Sequence, residues 1–378
     1  MAESKIENAP WVRLGDLIEI DEIINAENRD LEFLGINRNK EFMPSVANTD
    51  GLDKSKYKVI SKGKFVFSGM QTGRDVCIRF GLYDREEPGL ISPAYTTYCV
   101  KKESVLPEYI MMNFKRSEMD RLGWFLSDSS IRSNLDFDRF LDIKIPLPSI
   151  ETQRELVAVY NGLKELAEEN EKLLEPLSKS CEAFIVDCKK KYPLKSLGDY
   201  IEETDERNSA GKYTLEDVRG ISNLKEWIET KADMNGVSLF PYKLVRPKEF
   251  SYVSVTSRNG DKISLAMNNT ENTYIVSSSY INFKVTKNNE LLPEFLFTLL
   301  NRNSFNAYSR YNSWGSARET FDWSEMCRVQ IPLPPIQIQQ KIVDLYNCYE
   351  ECKRIANEAR EKISNLCPAL VQKATHTY

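Results

Sequence analysis

The sequence contains a single histidine, His376, near the end of the chain. Histidine is the most common side chain for acid–base and metal chemistry near neutral pH, so its scarcity argues strongly against such chemistry. No Gly-x-x-x-x-Gly-Lys phosphate loop is present, which disfavours an ATPase or translocase. The Asn/Asp-Pro-Pro-aromatic tetrapeptide of amino-methyltransferases is also missing. These absences predict a non-catalytic chain that holds no cofactor and no metal.

Long apolar runs and paired cysteines are missing too. The apolar stretch around residues 295–300 is far too short to span a membrane, and no other apolar run approaches the required length. The 8 cysteines include no Cys-x-x-Cys pair, so we expect reduced thiols and no zinc site. The first residues lack the pattern of a secretory signal, and we expect a cytoplasmic protein. The net charge of −5 gives no overall basic signature, so any affinity for nucleic acid must come from local patches or a partner.

What the sequence does contain is an internal repeat. Residues 144–161 read KIPLPSIETQRELVAVYN, and residues 330–347 read QIPLPPIQIQQKIVDLYN. A Leu-Gly-Asp triplet at 14–16 recurs at 197–199, and matching residues continue between these points with few insertions. Such extended self-similarity indicates a duplication. In each copy the prolines mark the joint between a globular segment and a helix, because proline disfavours helix through itself and its predecessor.

Each repeat is predicted to be an α+β unit followed by a long helix. Segments rich in Val, Ile, Phe and Tyr, such as 64–69 and 274–285, are typical of strands. Leu-Pro-Glu-aromatic sequences at 106–109 and 292–295 begin one predicted helix in each unit. We therefore expect globular domains at 1–148 and 192–334, and helices at 149–191 and 335–378.

Both predicted long helices carry apolar residues at heptad spacing, which is typical of a coiled coil. If the two helices pair antiparallel, Asn170 lies opposite Ala356. Asn170 then either fixes the register or lies solvated at a gap in the seam. Pro176 and Pro368 are expected to bend or interrupt the helices. The predicted seam consists of Leu156, Leu163, Asn170 and Leu177 in the first helix, with Ile342, Tyr349, Ala356 and Ile363 in the second.

Two diverged α+β units, each ended by an Ile-Pro-Leu-Pro joint and a heptad helix, resemble the specificity subunit of type I restriction–modification enzymes. The resemblance covers nearly the whole chain and is most specific at 145–160 and 331–346. It implies two target-recognition domains, each reading one half of a bipartite DNA site. It also implies that the two long helices pair as an antiparallel coiled coil, hold the domains a fixed distance apart and dock the methyltransferase subunits.

The resemblance also implies the partners: double-stranded DNA, two methyltransferase subunits and restriction/translocase subunits. S-adenosylmethionine, ATP and Mg²⁺ would be bound by those partners. Because the two units have diverged, the DNA target is expected to be asymmetric. Two other functions remain open at this point: the recognition subunit of a type IIB-like enzyme that cuts on both sides of its site, and a coiled-coil scaffold that binds proteins without a DNA role.

Two polar loops in each unit are candidates for DNA contact, since they combine Arg with hydroxyl or amide side chains. A plain polar turn is the alternative for the first loop, and an Arg paired with Asp136 or Asp322 is the alternative for the second. The candidate residues are Gln71, Thr72, Arg74, Ser130 and Arg132 in the first unit, and Thr256, Ser257, Arg258, Asn259, Ser316 and Arg318 in the second.

Three further features have open interpretations. Lysines between 54 and 64 would share one strand face, either solvated or following a DNA backbone. Tyr308, Tyr311 and Trp314 are more typical of a half-buried core than of DNA contact. Val157 and Val343 lie off the heptad seam, and they either seat partner subunits or pack each helix on its own globular unit.

Overall fold

The computed structural model describes residues 9–46, 51–128, 130–230, 232–256, 262–315 and 318–373. The chain divides into two compact units. Unit 1 consists of Met1–Glu169 with Ile355–Tyr378, and unit 2 consists of Asn170–Arg354. Each unit therefore contains one globular repeat and part of both long helices, whereas the sequence assigned each long helix to a segment of its own.

Unit 1 is built from short strands and helices, followed by the long helix that continues beyond it. Its strands are β1 (Trp11–Arg13), β2 (Ile18–Ile20), β3 (Ile23–Ile24), β4 (Phe33–Ile36), β5 (Phe42–Pro44), β6 (Lys58–Ile60), β7 (Phe65–Ser68), β8 (Arg79–Leu82), β9 (Gly89–Ile91), β10 (Thr96–Val100) and β11 (Lys144–Pro146). Its helices are α1 (Thr72–Asp75), α2 (Pro107–Phe114), α3 (Ser117–Leu126), α4 (Phe137–Asp142) and the long α5 (Ile150–Lys191).

Unit 2 has a similar order of elements, without counterparts of β3 and α1 among its described residues. Its strands are β12 (Leu194–Ser196), β13 (Ile201–Thr204), β14 (Arg219–Ile221), β15 (Trp227–Glu229), β16 (Lys243–Val245), β17 (Phe250–Val253), β18 (Leu265–Met267), β19 (Tyr274–Val276), β20 (Tyr280–Val285) and β21 (Gln330–Pro332). Its helices are α6 (Pro293–Leu300), α7 (Asn303–Tyr311), α8 (Trp323–Arg328) and the long α9 (Ile336–Lys373).

Equivalent antiparallel sheets form the centre of each unit, in the order β2-β10-β7-β8 in unit 1 and β13-β20-β17-β18 in unit 2. Their inner faces carry buried aromatic side chains: Phe65 stacks on Phe80 with ring centroids 4.8 Å apart, and Phe250 stacks on Phe283 at 4.8 Å. Full burial of one such side chain stabilises a fold by roughly 1.5–3 kcal/mol. Both cores are thus stabilised by stacked, buried aromatic side chains on the central sheet.

The single predicted helix that follows each sheet is in fact two helices, α2–α3 and α6–α7. Helix α2 is buried on nearly all sides between Tyr109 and Phe114, while α3 buries only Met119 and Gly123. A continuous helix would carry the polar face of α3 into the core, so the chain turns at Arg116, whose backbone is extended.

The long helices match their predicted extents closely. Pro176 lies inside α5, and the helix continues through it. In unit 1, Val371 of α9 joins the same buried cluster as Leu156 and Val157 of α5. In unit 2, Ile342 and Val343 of α9 cluster with Ile185 and Cys188 of α5. The end of each helix meets the start of the other, which is the predicted antiparallel arrangement. Among the described residues, no helix combines the length and apolar composition needed to cross a membrane.

Each proline joint is a strand that pairs with the opening strand of its unit. Val12 of β1 lies opposite Ile145 of β11, and Lys195 of β12 lies opposite Ile331 of β21. The chain therefore returns to its starting edge before each long helix begins. This closure explains why the Ile-Pro-Leu-Pro sequence recurs so exactly.

A buried glutamine secures each joint to the helix that follows. The side chain of Gln153 accepts from the Leu106 N–H at 2.9 Å and donates to the Ser104 carbonyl at 3.0 Å and the Pro148 carbonyl at 2.9 Å. Gln339 repeats the pattern with the Leu292 N–H at 2.9 Å and the Glu290 and Pro334 carbonyls at 2.7 and 2.8 Å. Both glutamine side chains are fully buried, and each amide satisfies its own hydrogen-bonding groups by pairing with three backbone groups.

We expect Gln339→Leu to lower the free energy of unfolding by about 2 kcal/mol, because it removes the partner of one N–H and two carbonyls that are buried or partly buried. The neighbouring Gln340 is exposed and bonds only Asp344, so Gln340→Ala is the matched control and should change stability by less than about 0.5 kcal/mol. Urea denaturation of the full chain measures both. Equal effects for the two variants would contradict this role for the buried amide.

Candidate nucleic-acid interface

The two predicted loops of unit 1 lie against each other. Residues 69–76, which carry α1, and residues 127–135 are joined by backbone hydrogen bonds from Leu135 N to Gly69 O at 2.9 Å and from Gly73 N to Ser133 O at 2.8 Å. The Gln71 N–H also donates to the Asn134 side chain at 3.1 Å. We call these two segments loop pair 1. Their contact could not be read from the sequence, since about 60 residues separate them along the chain.

Glycine makes this close approach possible. A Cβ on Gly69 would lie 1.9 Å from the Leu135 carbonyl oxygen, and one on Gly73 would lie 2.7 Å from the Ser133 Cβ. No side chain fits either position without moving the loops. Gln71 and Val76 have φ of 62° and 48°, which is unusual for non-glycine residues and common at functional loops.

The predicted residues of the first loop differ in what they offer. Thr72 is fully buried, and its hydroxyl donates to the Gly69 carbonyl at 3.0 Å, so it supports the loop from inside. Arg74 is exposed and donates from Nη2 to Gln71 Oε1 at 2.6 Å. Gln71 and Arg74 therefore present a polar pair at the surface, with the Gln71 amide nitrogen still available to a ligand.

A cluster of guanidinium groups surrounds Asp75. Arg74 Nε donates to Asp75 Oδ1 at 3.0 Å and Arg79 Nη2 to Oδ2 at 2.7 Å, while Arg38 Nη2 lies 3.6 Å from Oδ1. The Arg74 and Arg79 hydrogen bonds hold the pKa of Asp75 below its usual value. One carboxylate thus orients three cations beside loop pair 1. Arg38 and Arg79 were not among the predicted site residues. The only indication of the cluster in the sequence is the four-residue spacing between Asp75 and Arg79.

The second loop of loop pair 1 contains a serine with a structural role and an exposed arginine. We call this arginine, and its counterpart in loop pair 2, an open arginine. Ser130 Oγ donates to Asp128 Oδ1 at 2.6 Å, which lowers the pKa of Asp128 and shapes the turn. Arg132 is exposed and has no hydrogen-bond or ion-pair partner among the described residues. Asp136, the alternative partner considered above, instead caps α4 and accepts from Arg139 Nε at 3.1 Å.

Unit 2 has an equivalent loop pair 2, formed by residues 254–256 with 313–315 and 318–321. Thr256 N donates to Glu319 O at 2.9 Å, and Phe321 N donates to Ser254 O at 2.8 Å. Thr256 is buried, and its hydroxyl donates to the same Glu319 carbonyl at 3.3 Å. As in unit 1, the threonine of the first loop is structural. Ser257, Arg258, Asn259 and Ser316 lie outside the described residues.

Arg318 is the open arginine of loop pair 2. It is exposed, and the described residues offer it no hydrogen-bond or ion-pair partner. Asp322 accepts from the Thr320 hydroxyl at 3.1 Å and does not pair with Arg318. Gly315 has φ of +140°, and a Cβ there would lie 2.1 Å from the Arg318 carbonyl oxygen, so this turn requires glycine.

Exposed aromatic rings accompany each loop pair. Trp124 and Phe125 are 57% and 78% exposed at the end of α3, while Tyr311 and Trp314 are 78% and 63% exposed after α7. Tyr308 packs against Phe321, as expected for a core residue, but the expectation that Tyr311 and Trp314 are half-buried was wrong. Exposed rings suit stacking or apolar contact with a ligand.

The lysine run does not form a basic face. Lys58 is buried on β6 and pairs with Glu22 at 2.6 Å, while Lys64 pairs with Asp21 at 2.6 Å. Lys54, Lys56 and Lys62 lie outside the strands and also pair with carboxylates. The predicted alternation on one strand is therefore wrong. Among the described residues, no group of His, Cys, Asp or Glu side chains is arranged to hold a metal ion.

The predicted seam residues of α5 and α9 differ in burial. Leu156, Ile342 and Ala356 are buried, while Leu163, Asn170, Leu177, Tyr349 and Ile363 are partly exposed. In α5 the intervening positions expected at the seam, Leu166 and Leu173, are 43% and 48% exposed, and Ala167 and Cys181 are buried instead. Val157 and Val343 pack into the cores of their own units, which resolves that alternative.

This architecture is similar to that of known proteins. Residues 190–365 match the family model of the type I restriction modification DNA specificity domain. A search of curated protein sequences gave no match.

Among solved structures, the chain is similar to the type I restriction–modification system S subunit from M. genitalium. That match has 12% sequence identity and a TM-score of 0.67, and it covers 100% of this chain and 99% of the other. The HsdS subunit from Thermoanaerobacter tengcongensis also matches, with 16% identity, coverage of 98% and 97%, and a TM-score of 0.36.

The resemblance inferred from the two proline joints and heptad helices is thus confirmed. Residues 190–365 match the type I restriction modification DNA specificity domain, and the chain as a whole has the fold of the type I restriction–modification S subunit to which it is similar.

Proposed function

We propose that this chain is the DNA specificity subunit of a type I restriction–modification system, with loop pair 1 and loop pair 2 each reading one half of a bipartite target. The supporting observation is that both units build the same loop pair and expose an arginine on it, Arg132 or Arg318, that has no partner in the part of the chain that the structure describes. An exposed guanidinium on a glycine-pinned loop suits contact with phosphates or with the acceptor edge of guanine.

The two halves of the target are proposed to differ. Loop pair 1 carries Gln71, Arg74 and the arginine cluster around Asp75, whereas loop pair 2 carries the Arg310–Glu319 ion pair and exposed Trp314. The backbone frame repeats, but the side chains on it do not. A pseudo-symmetric frame with unlike side chains reads an asymmetric site.

The chain is proposed to act without catalysing a reaction. Two methyltransferase subunits and restriction/translocase subunits would bind S-adenosylmethionine, ATP and Mg²⁺ and carry out the chemistry. With these partners and a DNA target, the chain is proposed to act in the cytoplasm. The net charge of −5 fits a subunit whose DNA affinity depends on the assembled complex.

Removing the open arginines is expected to weaken DNA binding by the assembled complex. Arg132→Ala or Arg318→Ala should each lower affinity several-fold and reduce the slope of log K against log salt by about 1, because one phosphate contact is lost. A larger effect on cognate than on random DNA would indicate base contact. Arg354→Ala is the control, since Arg354 is exposed on α9 outside both loop pairs. Binding isotherms at several salt concentrations measure this, and unchanged binding by both loop variants would contradict the assignment.

Exchanging residues 1–143 for the equivalent segment of a related subunit should change one half of the methylated motif and leave the other intact. The expected result follows from the independent core and loop pair of each unit. Methylated-base sequencing of host DNA, with the methyltransferase subunits co-expressed, gives both halves directly. A change in both halves, or in neither, would argue against modular recognition. An unchanged methylome after deletion of the chain would favour the protein-scaffold function.

A further inference from the structure

Each repeat contains a buried lysine at the same position, but its partners differ between the two repeats. Lys40 follows β4 and Lys225 follows β14 at the same place in each repeat, with φ of 65° and 63°. Both are almost completely buried, at 5% and 4% exposure. A buried ammonium group needs a counter-charge or another strong acceptor, because burial removes its hydration.

In unit 1 the counter-charge is present. Lys40 Nζ donates to both carboxylate oxygens of Asp120, at 2.7 and 2.8 Å. Asp120 also accepts from the Ile78 N–H at 2.9 Å, so the carboxylate is fixed by backbone as well. The charge of Lys40 is therefore neutralised inside the protein.

In unit 2 the carboxylate is replaced by an amide. Asn306 on α7 stands at the position of Asp120 on α3, at the repeat offset of 186 residues. Lys225 Nζ instead donates to the Leu300 carbonyl and lies 5.4 Å from the centre of the Phe305 ring. The Asn306 side chain is only 7% exposed, and its Oδ1 has no hydrogen-bond partner in the described protein. The amide can rotate to present its NH₂ group, since no hydrogen bond holds Oδ1.

These groups line a cavity of about 270 Å³ in unit 2. Its charged lining consists of Lys225, Lys262, Arg302, Lys353, Glu182 and Glu350. Both carboxylates are already paired, Glu182 with Arg302 and Glu350 with Lys353 at 3.8 Å. The ammonium groups of Lys225 and Lys262 are left without a carboxylate among the described residues, and the cavity is positively charged overall.

We propose that this cavity binds a phosphate-type oxyanion between Lys225 and Lys262, with the Asn306 amide as a further donor. The anion would supply the negative charge that Asp120 supplies in unit 1. Burial and the nearby charge of Lys262 lower the pKa of Lys225 to about 7, which is the cost that a bound anion would relieve. A DNA phosphate and a free phosphate group share this chemistry.

The test uses sulfate, whose charge does not change between pH 6 and 8, and the purified full chain at pH 6.5. Sodium sulfate is titrated at constant ionic strength, and the melting temperature and the heat of binding are recorded. A ligand that binds only the folded state raises the melting temperature as its site fills. We expect a saturable rise for the wild type and for Lys212→Ala, an exposed lysine elsewhere in unit 2.

The decisive variant is Asn306→Asp, which restores the carboxylate found in unit 1. It should fold at least as well as the wild type and lower sulfate affinity at least about tenfold, since the ammonium of Lys225 gains an internal partner. Lys225→Met and Lys262→Ala should also lose affinity. No saturable response in the wild type, or an equal response in Asn306→Asp, would overturn the proposal.

A second arm identifies the source of the phosphate. If it is the DNA backbone, Lys225→Met should reduce the salt slope of non-specific duplex binding by the assembled complex by about 1. If it is a free phosphate group, sulfate binding is lost in this variant while the DNA salt slope stays unchanged. The sulfate titration contains no DNA, so its outcome is independent of the proposed recognition function.

Discussion

The fold depends on two buried amides. Gln153 and Gln339 lie at the start of the long helices α5 and α9. Through three backbone hydrogen bonds, each connects its proline joint to the segment that leads into α2 or α6. The N–H of Leu106 or Leu292 precedes a helix that begins with proline, and no other group serves it there. Removing the amide would leave each long helix attached by apolar contacts and by polar side chains farther along it, such as Lys164 with Asp84 and Asn301 with Tyr346.

On that fixed frame, the two units differ where side chains face outward or into small cavities. The loop pairs keep their backbone contacts and their buried threonines, Thr72 and Thr256, yet expose different sets of polar and aromatic groups. The change from Asp120 to Asn306 shows the same divergence inside the protein. Duplication supplied the geometry, and later substitution altered the charges placed on it.

The repeat, its proline joints and its heptad spacing predicted most of the architecture, because these patterns reflect local structure and can be recognised in the sequence alone. The extents of α5 and α9 followed from that pattern, whereas the antiparallel arrangement was implied by the family resemblance. The candidate interface was harder to predict. Residue type marked Thr72 and Arg132 equally, but only the fold decides that Thr72 bonds the Gly69 carbonyl while Arg132 stays open. Packing also chose Ala167 over Leu166 for the inner face of α5, because small residues permit closer helix contact.

The composition of unit 1 has a consequence for the order in which the protein forms. Unit 2 is one continuous stretch, Asn170–Arg354, whereas unit 1 joins Met1–Glu169 to Ile355–Tyr378, and Val371 lies in its core beside Leu156. During synthesis from the N-terminus, the first repeat leaves the ribosome early but lacks the segment that completes it. The second repeat can close its core first. The half of the protein that is translated first is therefore the last to finish folding, and its unfinished helix face is the surface most in need of protection while the chain is made.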